Sequence, residues 1–131
     1  MAKILVVDDE AELRSLLSAV LAMDGHKILV AGDGDAALKI QEATPVDLLV
    51  TDIFMPNKDG METIAAFRKN FPAVKIIAVS GGSRQGNQDY LQVAKQIGAD
   101  VCMVKPFSIE ELSNTIKSLL QAVRSQPRRQ Q

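Results

Sequence analysis

The sequence predicts an α/β domain, a parallel sheet with helices on both faces. Two observations carry the prediction. Five short apolar runs recur along the chain, at Ile4–Val7, Ile28–Ala31, Leu48–Thr51, Val74–Val79 and Val101–Val104. They are mostly continuous rather than alternating, as strands covered on both faces are. Stretches with helical periodicity lie between them, so that β-α repeats about five times.

The first helix comes directly after the first run. Leu13, Leu16, Leu17, Val20 and Leu21 keep the i, i+3, i+4, i+7, i+8 spacing of a helix with one apolar face. Gly25 ends that helix. Asp33 and Asp35 cap or start the next, over Ala36 to Ala43. Pro45 falls in the connection to the third run and Pro72 in the connection to the fourth. Met61 to Phe67 and Tyr90 to Ile97 are shorter helical patterns, the second closed by Gly98. Ser108 with Glu111 three residues on is a capping-box pattern. It opens a helix through Ile109, Leu112, Ile116, Leu119, Leu120 and Val123. One domain over 1–123 with a polar, basic tail over 124–131 is expected, the tail fraying or leading into a linker.

Composition narrows the function. The 131 residues are 47% hydrophobic but only 4% aromatic, so the core is aliphatic. A net charge of −1 gives no basic field for nucleic acid, and none is expected to bind through this domain. The apolar runs are far too short for a membrane span, and two aspartates come too soon after the first one for a signal peptide. One cysteine excludes an internal disulfide and a Cys-rich zinc site. A cytoplasmic protein is the expectation.

Chemistry-bearing residues collect at the carboxyl ends of the runs. Asp8 and Asp9 come after the first, Asp52 after the third, Ser80 after the fourth and Lys105 after the fifth. Open parallel sheets bind ligands beyond those ends, where the strand order reverses. The second run supplies nothing to the set, which places it outermost. A carboxylate in such a place is costly unless paired. Two unit charges about 4 Å apart at an effective dielectric of about 20 interact by about 4 kcal/mol. A divalent cation offsets the repulsion among three carboxylates, and an all-oxygen site suits Mg²⁺. Such a cation also neutralises and orients a transferring phosphoryl group. A carboxylate can be the nucleophile, with Lys105 pairing to a phosphoryl oxygen and Ser80 donating to another. His26, the only histidine, stands outside this set.

Each residue alone has a plainer reading. Asp8-Asp9 could favour a helix N-terminus, Asp52 could be an Asx turn, and Lys105 and Ser80 could be solvated or in turns. Cys102 reads as a small core residue rather than a redox sensor, with no second cysteine near it. Arg124, Arg128 and Arg129 read as a solvated tail. The joint occurrence favours the site.

The stretches Ile-Leu-Val-Val-Asp-Asp-Glu, Thr-Asp-Ile-Phe-Met-Pro-Asn-Lys-Asp-Gly, Ala-Val-Ser-Gly-Gly and Val-Lys-Pro-Phe, in this order, resemble the receiver domain of two-component response regulators. The likeness spans residues 3 to 123 or so and is similar to the chemotaxis-type single-domain receivers. It implies a flavodoxin-like (βα)5 fold with strand order 2-1-3-4-5. It implies Asp52 as phosphoacceptor and Asp9 as a direct Mg²⁺ ligand, with Asp8 acting through water and Asp52 and the Phe54 carbonyl completing the metal set. Ser80 matches the hydroxyl that moves toward the phosphoryl group, Lys105 the lysine that meets it, and Gly60 the glycine ending the loop after the acceptor. Pro106 stands where a cis Lys-Pro bond is common. The phosphodonor implied is a phosphohistidine on a histidine kinase or histidine phosphotransfer protein, met around Glu10, Ala11, Leu13 and Arg14. The face of the last two strand–helix units would meet a downstream target or effector domain. The chain would catalyse only its own phosphorylation and dephosphorylation, as a monomer, with a dimer on phosphorylation as the alternative.

One position departs from the pattern. Three residues before the lysine the family usually has Tyr or Phe, which swings inward on phosphorylation; here it is Cys102. The resemblance thus implies phosphorylation of Asp52 without the usual aromatic half of the switch. Phe54 and Gly82 occupy positions that in the family modulate hydrolysis and access, so the resemblance implies an atypical phosphoryl lifetime. Two other functions share the residues: a Mg²⁺-dependent phosphatase or phosphotransferase working through Asp52, and a receiver-fold interaction module that is not phosphorylated.

Overall fold

The computed structural model describes residues 2–53, 60–81 and 87–125. The elements are β1 (Lys3–Val7), α1 (Ala11–Met23), β2 (Lys27–Ala31), α2 (Gly34–Ala43), β3 (Leu48–Asp52), α3 (Gly60–Asn70), β4 (Lys75–Gly81), α4 (Asn87–Ile97), β5 (Val101–Lys105) and α5 (Ile109–Ser125). The strands form one parallel sheet in the order β2-β1-β3-β4-β5, with β2 at an edge. The fold is the flavodoxin-like arrangement expected. The three shorter helices extend beyond their apolar cores in sequence, and Ser80 lies within β4 rather than after it.

Period-two alternation divides the core between the two faces of the sheet. Leu5, Val7, Leu49 and Ile76 pack with Ala37, Ile64, Phe67 and Ala94 of α2, α3 and α4. Ile4, Val6, Leu48, Val50 and Ile77 pack with Leu17, Leu21, Leu112 and Ile116 of α1 and α5. The core is aliphatic as expected, and among the described residues Phe67 is the one aromatic of its largest fully buried side chains. Edge position changes the burial of β2, whose residues are less covered than the continuous apolar run predicts, and Val30 is exposed.

Helix ends obey the local chemistry. Asp33 Oδ1 accepts the Ala36 N–H at 2.9 Å and caps α2. Ser108 Oγ accepts from Glu111 N at 2.9 Å while Glu111 Oε1 accepts from Ser108 N at 3.1 Å, closing the capping box of α5. Gly25 and Gly98 come after α1 and α4 with φ of 90° and 138°, values that L side chains avoid. Leu16 departs from its predicted place. It belongs to the periodic stripe of α1 yet is 52% exposed.

Arg68 of α3 fastens the end of the sheet remote from the strand carboxyl ends. Its Nε and Nη2 donate to the Gly98 carbonyl at 3.0 and 2.6 Å, and Nη1 donates to the carbonyls of Pro72 and Val74 at 2.8 and 3.0 Å. Nη2 also reaches Asp100 Oδ2 at 2.9 Å, which accepts the Ile76 N–H at 2.8 Å. Every N–H of the guanidinium is used. No helix among the described residues is long and apolar enough to cross a membrane.

Candidate functional site

Register sets the site. In β1 and β3, Val7 pairs with Thr51, so Asp8 and Asp52 leave the sheet side by side at its carboxyl end. Ser80 of β4 lies one position beyond Val79, the partner of Asp52. Lys105 closes β5 opposite Gly81. Strand pairing thus brings together residues up to 97 positions apart in the chain.

Lys105 joins the acids. Its Nζ donates to Asp8 Oδ2 at 3.0 Å and to Asp52 Oδ2 at 3.2 Å, and stands 3.8 Å from Glu10 Oε1. Burial pulls the Lys105 pKa down, but the hydrogen bond to Asp8 and the charges of Asp52 and Asp8 outweigh it, and the net shift is upward. The ammonium therefore persists throughout the neutral range. Asp8 and Asp52 are buried whereas Asp9 is exposed. One carboxylate oxygen from each of the three lies within 4.8 Å of the others. This close all-oxygen set, with one member open to solvent, fits a hard divalent cation.

Backbone contacts fix these side chains. Asp8 Oδ1 accepts the Glu10 N–H at 2.9 Å, and Arg14 Nη1 donates to the Asp8 carbonyl at 2.7 Å. At Asp52, the start of α3 lies directly against the main chain. A Cβ at Gly60 would collide with the Asp52 carbonyl, and the Gly60 N–H donates to the Ile53 carbonyl at 2.8 Å. Only glycine fits there. Lys105-Pro106 is cis, as the resemblance implied.

The remaining expected residues differ in their surroundings. Ser80 is fully buried, and its Oγ has no hydrogen-bond partner among the described residues. Leaving such a hydroxyl unsatisfied costs up to about 1–3 kcal/mol in this state, a cost removed in any state that gives it an acceptor. Cys102 is half-buried against the α2–α4 side of the core, level with Ala78 in β4. Burial pushes its thiol pKa up, opposed by the charge of Lys95, so the thiol stays protonated near neutrality. Phe54 and Gly82 lie outside the described residues. His26 is remote, its Nδ1 accepting from the Ala2 N–H at the start of the sheet.

Two contacts have weak signals in sequence. Glu10 comes directly after the acid pair, and that adjacency alone hints at its approach to Lys105. Arg14 reads from sequence as part of a donor-facing surface, and nothing in its spacing points to the Asp8 carbonyl. Beside the acids, Glu10, Leu13, Leu16, Pro106, Phe107 and Ile109 border an open groove of about 770 Å³ that includes Lys105.

Comparison with known proteins agrees in extent and in fold. Residues 4–117 match the family described as "Response regulator receiver domain". The transcriptional regulatory protein CpxR of Escherichia coli K12 is 38% identical over 120 residues, covering 92% of this chain and 50% of CpxR. The probable chemotaxis protein CheY of Rhizobium etli is 37% identical over 123 residues, covering 93% of this chain and 95% of its own length. The chain spans about half the length of the transcriptional regulators it matches and nearly all of the chemotaxis protein. Among solved structures, a response regulator receiver domain protein from Clostridium thermocellum superposes with a TM-score of 0.86 at 28% identity, covering 95% of this chain and 98% of that one.

Proposed function

The chain belongs to the response regulator receiver family, and from that premise we propose that Asp52 is the phosphoacceptor of a phosphorylation-controlled signalling receiver. The observation that carries this reading is Lys105 bonded at once to Asp8 and Asp52 beside a set of carboxylates close enough to share a cation. The phosphoryl group would come from a phosphohistidine on a histidine kinase or histidine phosphotransfer protein. Asp8, Asp9 and Asp52 would hold Mg²⁺, and the Phe54 carbonyl is proposed from the resemblance alone. Bound there, Mg²⁺ would neutralise charge on the phosphoryl oxygens and favour in-line transfer.

The chain's own residues supply the rest. The Asp52 carboxylate attacks phosphorus, and the imidazole of the donor leaves with the electron pair of the P–N bond. Lys105 exchanges a carboxylate partner for a phosphoryl oxygen, with its charge retained. Ser80 gains an acceptor for its hydroxyl, and that gain biases a two-state equilibrium of β4 and α4. Cys102 would accompany this change without the aromatic bulk usual at its position. The receiver catalyses its own phosphorylation and dephosphorylation and regulates a partner or an attached effector through the α4–β5–α5 face, in the cytoplasm.

Incubation with Mg²⁺ and acetyl phosphate, then a phosphate-affinity gel, tests the assignment. A labile shifted band is expected that disappears in Asp52→Asn and when Mg²⁺ is chelated. A band that survives either change would sink the proposal.

A further inference from the structure

Resting on the reading of Asp52 as phosphoacceptor, we infer that Glu10 is a specificity-determining residue that disfavours small anionic phosphodonors. Among the described residues, the Glu10 carboxylate meets one partner, Lys105, and only at ion-pair distance. Glu10 is the N-cap residue of α1 but makes no capping hydrogen bond with its side chain. The side chain is 67% exposed and contributes nothing to the core. Its backbone is nonetheless tethered, through the N–H held by Asp8 Oδ1 at 2.9 Å. The carboxylate stands 3.8 Å from Lys105 Nζ, too far for a hydrogen bond and close enough for charge to act.

Location gives that charge its effect. Glu10 lines the groove that includes Lys105, together with Leu16, Pro106 and Phe107. Lys105 lines this groove and is hydrogen-bonded to Asp52, so a small donor that meets Lys105 on its way to Asp52 also meets the charge of Glu10. Glu10 thus adds a negative charge beside the lysine without belonging to the set that could hold a metal, which is Asp8, Asp9 and Asp52. A donor with more negative charge is repelled more. A protein donor would have the apolar lining residues Leu13, Leu16, Phe107 and Ile109 to contact and offset the repulsion, and a small molecule would not.

Two small donors differ in charge and deliver the same phosphoryl group. Acetyl phosphate is a dianion near neutral pH. Its P–O bond breaks as the Asp52 oxygen bonds to phosphorus, and acetate leaves with the electron pair. Phosphoramidate carries one negative charge fewer. Its P–N bond breaks in the same step, and the protonated nitrogen leaves as ammonia with that pair.

The test measures labelling rates of the full chain with both donors and Mg²⁺, for wild type, Glu10→Gln and Glu10→Asp, at about 0.02 M and about 0.5 M salt. Glu10→Gln should raise the ratio of the acetyl phosphate rate to the phosphoramidate rate about 3-fold at low salt, and the gain should vanish at high salt. Glu10→Asp should keep the wild-type ratio. An unchanged ratio in Glu10→Gln, or a gain equal at both salts, overturns the inference. Wild-type protein labelled by neither donor overturns the phosphoacceptor reading itself and takes this inference with it.

Discussion

Lys105 holds Asp8 and Asp52 apart in charge but together in space, 3.0 Å from an oxygen of one and 3.2 Å from an oxygen of the other. Replacing it with Met leaves two buried carboxylates facing each other. Without divalent metal, Lys105→Met should cost about 1–3 kcal/mol, between the values for exposed and buried pairs. Mg²⁺ should recover most of that loss and bind more tightly than in wild type, because a competing cation is gone. Urea unfolding in chelator and in Mg²⁺ measures both effects. Because the Lys105 pKa is raised, its contribution in the wild type is complete below the ordinary lysine value of about 10.4 and is lost as pH rises through the raised value. The stability difference between wild type and Lys105→Met should therefore be flat in this contribution around neutrality and shrink only in strong base.

Ser80→Ala should separate stability from signalling. Removing a buried hydroxyl with no partner among the described residues should leave stability unchanged or raise it by up to about 1 kcal/mol. The conformational response to phosphorylation should be lost, because the group expected to track the phosphoryl oxygen is gone. Denaturant melts and amide spectra with and without beryllofluoride check the two halves.

Gly60→Ala should disturb Asp52, the proposed acceptor, from behind. Its methyl group would meet the Asp52 carbonyl, and relief requires moving α3 or the end of β3. A destabilisation of about 1–3 kcal/mol is expected, together with slower labelling of Asp52. Thermal melts and labelling rates on the same preparation test the link between them.

Cys102 should be a slow thiol. With its pKa raised by burial, its alkylation in the folded protein should lag behind that of the unfolded chain near neutral pH and accelerate at higher pH. The linkage has a definite sign. The folded state keeps the proton longer, so the unfolded state ionises first. This group's contribution makes stability fall as pH rises past the ordinary thiol value of about 8.5. Comparison of wild type with Cys102→Ala across pH 7 to 10 or so isolates it.

Much of the fold and the site is legible in the sequence because it depends on local chemistry. Apolar runs mark the strands, Ser108 with Glu111 marks the start of α5, Gly25 and Gly98 mark helix ends, and residues at strand ends mark the site. The illegible part depends on long-range geometry. Leu16 satisfies the helical period yet is exposed, because that stripe is wider than the surface α1 covers. Arg68 looks like any basic residue near a helix end, and its five hydrogen bonds go mainly to carbonyls, which no side-chain pattern encodes. The burial of Cys102 depends on β5 lying at the sheet edge beside α4, a matter of strand order.

Arg68 has a mechanical corollary. By gripping Gly98 it pins the C-terminal end of α4 to α3 and to the connections before β4 and β5. The other end of α4 lies toward Gly81 and the strand carboxyl ends, where Asp8, Asp52 and Lys105 meet. A shift at the far end of β4 would therefore turn α4 about Gly98, like a lever about its fulcrum, with the displacement growing along the helix toward Asn87.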